Sequence, residues 1–149
     1  MILIHGQVRE DREQTKIISE LRNDLNETLS HKNPLTAEMV INACDALASK
    51  VLAGEFDDFV LPILKAFDIS YERFCSMAQA FTRKGLEYKY NIELCDCEEN
   101  IGDGVYRKRY PLGVLLHIAA GNVDGLPAYS VVEGLLAGNI NILKLPSGD

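Results

Sequence analysis

From Arg9 to Ser30 the apolar residues Ile18, Leu21, Leu25 and Leu29 recur every three or four positions on an otherwise polar segment, which predicts an amphipathic helix. Asn33-Pro34 predicts its end, because the residue before a proline is biased away from helical backbone. A second helix is expected from an N-cap at Thr36 to about Ala53, with Val40, Cys44, Leu47 and Val51 as its stripe and Gly54 as its stop. Phe59, Ile63, Leu64 and Phe67 mark a third, shorter helix whose start is blurred by Pro62. Ser70 caps a fourth, with Tyr71, Phe74, Ala78 and Phe81 on one face. All four stripes are expected to be core contacts. Ahead of them, Met1 to Ile4 reads as a short strand entering a turn at His5-Gly6.

The pattern changes after Asn91. Ile92 to Cys95 and Val105 to Tyr110 read as two strands, with turn chemistry between them in Glu98-Glu99-Asn100 and Gly102-Asp103-Gly104. Arg107, Lys108 and Arg109 form a small basic cluster that fits a solvated strand. Leu112 to Ala120 is then a continuous apolar run broken only by His117, and Gly121 to Gly125 is a polar, glycine-flanked turn. Leu126 to Leu136 predicts an apolar helix with Pro127 in its first turn, stopped by Gly138-Asn139. Asn139 to Leu145 is a second apolar strand, closed by Pro146-Ser147-Gly148. Strand, turn, helix and strand within about thirty residues make a βαβ unit. Its two strands are expected to be parallel and buried.

The expected fold class is therefore α/β. A mainly helical layer spans residues 1–90, a hairpin-like extension 91–110, and the start of an α/β domain 111–149. The charge distribution supports a boundary near Pro111. Beyond it the only charged residues are Asp124, Glu133, Lys144 and Asp149, and six of the eleven glycines also fall there.

Composition narrows the function classes. At 47% hydrophobic and 25% charged residues the chain has a globular balance. A net charge of −7 disfavours a nucleic-acid partner. No run approaches the ~20 apolar residues of a membrane span, and the apolar start is too short for a secretory leader. A cytoplasmic location is expected, with Cys44, Cys75, Cys95 and Cys97 reduced. Cys95 and Cys97 form C-x-C rather than C-x₂-C, and His5, His31 and His117 are scattered, so no metal site is expected.

A helix that follows a parallel strand through a tight turn presents free backbone N–H groups at the strand's C-terminal end, where open α/β sheets bind ligands. The turn is neither G-x-G-x-x-G nor a P-loop. On spacing alone many α/β domains would match. Asn122 could be an Asx-turn residue opening the helix, Lys144 a strand-end lysine reaching for solvent, and Asp124 a helix cap. His117 could be an acid or base beside a ligand, and the residue pattern favours a satisfied interior histidine.

The stretch YPLGVLLHIAAGNVDGLPAYSVVEGLLAGNINILKLPSGD closely resembles the acyl-CoA reductase family that includes the fatty-acyl reductase of bacterial luminescence, a branch of the aldehyde dehydrogenase superfamily. HIAAGNVDGLPA and GLLAGNINILKLPS carry the likeness, in order and at the right separation. The resemblance implies that this is the N-terminal part of an NADPH-dependent reductase that converts an acyl-CoA or acyl-protein thioester to an aldehyde through a cysteine thioester. Asn122 would donate to the oxyanion. Ala119, Ala120, Gly121, Lys144, Pro146 and Ser147 would hold the cofactor, so the resemblance implies that the α/β domain begun at 111–149 is nucleotide-binding. Ser147 stands where NAD-using relatives carry a glutamate, which favours NADP. Small residues at 119–121 let a ligand approach the backbone, or could equally open room for the thioester.

None of the four cysteines matches the family's nucleophile, which lies downstream of the lysine-bearing strand. The chain by itself is therefore expected to be inactive. A non-catalytic nucleotide-binding or assembly module remains the alternative, with an unrelated α/β binding domain behind it. A homo-oligomer or an acyl-transfer partner protein is left open.

Overall fold

The computed structural model describes residues 1–31, 35–94, 98–121 and 125–146. The chain divides into two compact units, Met1–Pro34 and Leu35–Asp149.

In the first unit, strands β1 (Ile2–Ile4) and β2 (Gln7–Arg9) pair antiparallel, with Ile4 opposite Gln7. The two linking residues, His5 and Gly6, both have positive φ, as a two-residue hairpin turn of matching twist requires. A 3₁₀ turn at Asp11–Glu13 leads into helix α1 (Gln14–Leu29). The expected strand and helix are present, but the stripe of α1 is not a core. No residue of α1 is buried, and Ile18 and Leu29 are more than half exposed. One helix beside a three-residue hairpin has no opposing apolar layer within its own unit. The expected stop at Asn33-Pro34 lies outside the described residues.

The second unit is mixed α/β. Helix α2 (Ala37–Leu52) starts as expected: the Thr36 hydroxyl accepts from the Met39 amide at 3.3 Å. Its buried residues are Val40, Ile41 and Ala48, whereas Leu47 of the expected stripe stays exposed. Helix α3 (Asp57–Ala66) carries Pro62 internally and buries only Leu64; Phe59 and Phe67 remain exposed, contrary to expectation. Helix α4 (Tyr71–Gln79) is capped by the Ser70 hydroxyl, which accepts from the Arg73 amide at 3.2 Å.

A further helix, α5 (Arg83–Lys89), follows at once and runs into a π-helical turn at Tyr90–Leu94. This corrects the expected strand over Ile92–Leu94; Cys95 lies outside the described residues. Two forces hold the segment helical. Lys89 pairs with Glu93 one turn on at 2.9 Å and with Glu133 at 2.8 Å, and Tyr90 and Leu94 pack against the core. The hairpin is therefore shorter than expected, with β3 (Glu99–Gly102) opposite β4 (Val105–Arg107). Glu99 and Asn100, expected in a turn, lie in β3. Arg107 belongs to an exposed strand, paired with Glu99 at 2.5 Å.

The βαβ unit falls where the sequence places it: β5 (Val114–Ile118), α6 (Leu126–Leu136) and β6 (Ile140–Lys144). β5 and β6 are adjacent and parallel, with Val114 opposite Ile140 and Ile118 opposite Lys144. The strands are not buried on both faces. Burial along β5 alternates, with Leu115 and His117 half-buried while Val114, Leu116 and Ile118 face solvent. The core joins this unit to the helices: Val40 and Ile41 of α2, Leu86 of α5 and Leu136 of α6 form one cluster.

Candidate functional site

The C-terminal ends of β5 and β6 lie side by side. Beyond the last paired residues the ladder continues, the Ala119 amide donating to the Lys144 carbonyl at 3.0 Å. Gly121 closes on Pro146, so that a Cβ at Gly121 would sit 3.3 Å from the proline Cβ. Ala119, Ala120 and Gly121 are thus gathered with Lys144 and Pro146 at one end of the sheet. Ala120, Gly121, Lys144 and Pro146 are exposed. The Lys144 ammonium lies 3.4 Å from the Leu145 carbonyl and makes no ion pair among the described residues. Asn122, Asp124 and Ser147 lie outside the described residues. The N-cap position of α6 is Gly125, with Pro127 in the first turn.

His117 is held on both sides. Its Nδ1 lies 2.5 Å from Ser130 Oγ on α6 and its Nε2 2.7 Å from Asn141 Oδ1 on β6. The Asn141 Nδ2 donates to the Asn139 carbonyl at 2.9 Å, which turns the amide oxygen toward the ring. Nε2 therefore donates, and in the neutral ring Nδ1 accepts from the Ser130 hydroxyl. Asn139, 7% exposed, completes the lock, its side-chain oxygen accepting from the Gly113 amide at 3.0 Å. His117 is a satisfied interior histidine that ties β5 to α6 and β6, as the residue pattern favoured. Its partners Ser130 and Asn141 carried no periodic signal in the sequence. Two glycines make the geometry feasible. Gly138 ends α6 at φ 79, which leaves the Asn139 amide to bond the Gly134 carbonyl at 2.9 Å. Gly134 has no side chain where Asn141 projects.

A second feature lies under α6. Helices α2, α4 and α6 enclose a half-open cavity of about 290 Å³, lined by Cys44, Phe74, Met77, Phe81, Ala128 and Val132 among others. Phe81 and Tyr129 stack at 4.6 Å between centroids, and the Tyr129 hydroxyl lies 3.4 Å from the Met77 carbonyl. Sequence reading assigned the α2 and α4 stripes to the core and did not foresee the space between them. Cys44 and Cys75 are free thiols, and burial pushes the Cys44 thiol above its ordinary pKa. Among the described residues no helix is long and apolar enough to cross a membrane.

A protein-family model described as acyl-CoA reductase (LuxC) matches residues 33–149. The chain belongs to this acyl-CoA reductase family, and the matched stretch takes in the whole second unit. No curated protein and no solved structure matches the chain.

Proposed function

We propose that this chain forms the N-terminal part of an NADPH-dependent fatty acyl thioester reductase of the aldehyde dehydrogenase type. The observation that carries the reading is the convergence of Ala119–Gly121 with Lys144 and Pro146 at the C-terminal ends of two adjacent parallel strands, inside the family-matched stretch. That is where α/β sheets take nucleotides. The residues fit a dinucleotide: small side chains expose backbone at the end of β5, and an exposed lysine ammonium stands at the end of β6. Lys144 would bond the adenosine ribose or its 2′-phosphate, and Ser147 would spare that phosphate the repulsion of an acid. The bound cofactor would supply the hydride that turns the thioester carbonyl into an aldehyde. Asn122 would donate its amide hydrogen to the oxyanion formed there, which lowers the barrier without placing a charge in the resting site. The acyl-accepting thiol is assigned to a cysteine other than Cys44 and Cys75, since both lie on helices, outside the strand ends.

The test is thioester-dependent NADPH oxidation by the longest natural product that carries this segment. Aldehyde formed with stoichiometric NADPH loss is the expected result. Absence of turnover with acyl-CoA and acyl-protein thioesters alike favours the non-catalytic nucleotide-binding module. The 149-residue chain alone should show no turnover above a protein-free control.

A further inference from the structure

The cavity between α2, α4 and α6 has a chemistry of its own. None of its lining side chains carries a nitrogen or an oxygen: Cys44, Leu47, Val51, Phe74, Met77, Phe81 and Val132 supply most of the surface, with Ala48, Ala78, Ala128 and Gly125 between them. Packed interiors seldom leave voids larger than a water molecule, and apolar voids stay dry and accept apolar ligands. At about 290 Å³ this one is near the lower end of small-molecule pockets.

Small residues create the space. Ala48, Ala78 and Ala128 stand where Leu or Phe would fill it. The wall is fixed by the Phe81–Tyr129 stack and by the Tyr129 hydroxyl on the Met77 carbonyl. The lining reaches the start of α6 at Gly125 and Ala128. There Met77 Cε comes within 3.0 Å of where a Cβ on Gly125 would be, so the methionine closes against a residue with no side chain. Gly125 is three positions after Asn122.

A lining without polar anchors cannot orient a sugar, a nucleotide or a carboxylate, but it suits an unbranched hydrocarbon. Its lining reaches Gly125, four positions after Gly121 of the strand-end site, so a chain leaving the cavity there would turn its polar end toward that site. We propose that this cavity receives the distal part of the acyl chain of the thioester substrate and sets its length preference. The assignment rests on the acyl thioester reading above. The raised pKa of the Cys44 thiol agrees with a low-polarity lining.

The test uses the 149-residue chain and two readouts. Binding of acetyl-, octanoyl- and tetradecanoyl-CoA is measured below their micelle concentrations. Each methylene buried should tighten binding about fourfold, so tetradecanoyl-CoA should bind at least ~30-fold tighter than acetyl-CoA. Ala128→Leu and Ala78→Leu, at incompletely buried positions that tolerate added bulk, should each remove most of that gain. In the unaltered chain, maleimide labelling of Cys44, resolved by mass spectrometry, should slow at least ~10-fold with tetradecanoate present. Cys75, outside the lining, should label at an unchanged rate.

Affinity independent of chain length, a gain untouched by both variants, or an unprotected Cys44 would each overturn the assignment, and would leave the reductase reading standing. Protection of Cys44 alongside a longer enzyme that reduces no thioester would sink the reductase reading and keep the hydrocarbon site.

Discussion

Gly134 on α6 and Asn141 on β6 occupy each other's space: a Cβ on the glycine would overlap the amide oxygen of the asparagine. That oxygen is also the acceptor for His117 Nε2, so the helix approaches the sheet only as closely as this glycine allows. One missing methyl group thus sets both the helix–sheet distance and the tautomer of a histidine on the neighbouring strand.

Gly134→Ala is therefore expected to destabilise the chain. In an ordinary helix interior this change stabilises by about 0.5–1 kcal/mol. Here the new methyl group must displace the Asn141 amide, and leaving partly buried polar groups unpaired costs about 1–3 kcal/mol. A urea midpoint below the wild type's would confirm the displacement, and a raised midpoint would refute it.

Ser130→Ala and Asn141→Ala should each cost about 1 kcal/mol or more, and their effects should not add. Both hold the same ring, so losing one loosens the contact to the other. A double-mutant cycle in denaturant measures the coupling, expected at about 0.5 kcal/mol or above.

The Arg83 guanidinium bonds the Glu38 carboxylate at 3.0 Å and holds its pKa below the usual 4.5. A depressed folded pKa contributes stability that is fully present above the unfolded value and is lost as pH falls through the folded one. The loss therefore belongs to the window below pH 4.5. Glu38→Gln should flatten the acid limb of the stability curve there and leave its slope near neutrality unchanged. Urea titrations at stepped pH values give the comparison.

In a longer enzyme carrying this segment, Asn122→Ala should slow the chemical step by about 10²–10³-fold. If the residue only shaped the turn, the loss would instead be about 1 kcal/mol of folding stability, the size of a lost cap. Single-turnover rates and thermal unfolding of the same variant separate the two. Ser147→Glu in that enzyme should shift preference from NADPH toward NADH, read as the ratio of kcat/KM values.

The βαβ unit was legible because two long apolar runs and an apolar helix are punctuated by glycines, and the observed β5, α6 and β6 fall within or match the expected spans. Thr36 and Ser70 announced their helices because a hydroxyl at an N-cap has one geometric use. The segment at Ile92 misled because the short stretch from Ile92 to Cys95 resembles a strand, and a contact that keeps it helical comes from Glu133, far along the chain. The strand-end cluster of Ala119–Gly121 with Lys144 and Pro146 followed from the βαβ logic and the family likeness. The cavity did not, since absent side chains on three separate helices leave no periodic trace. Likewise nothing about Ser130 or Asn141 alone says that they share one imidazole.

The uncovered face of β5 has a kinetic meaning. β5, α6 and β6 follow one another within about thirty residues, so their contacts close short loops at small entropic cost and should form early. While they stand alone, Val114, Leu116 and Ile118 form a row of hydrocarbon on a two-stranded template with open edges. Such a row solicits other strands. How much folded chain a cell recovers should then depend on how soon that row finds cover, and a charged residue in place of Leu116 should raise the soluble yield of this chain.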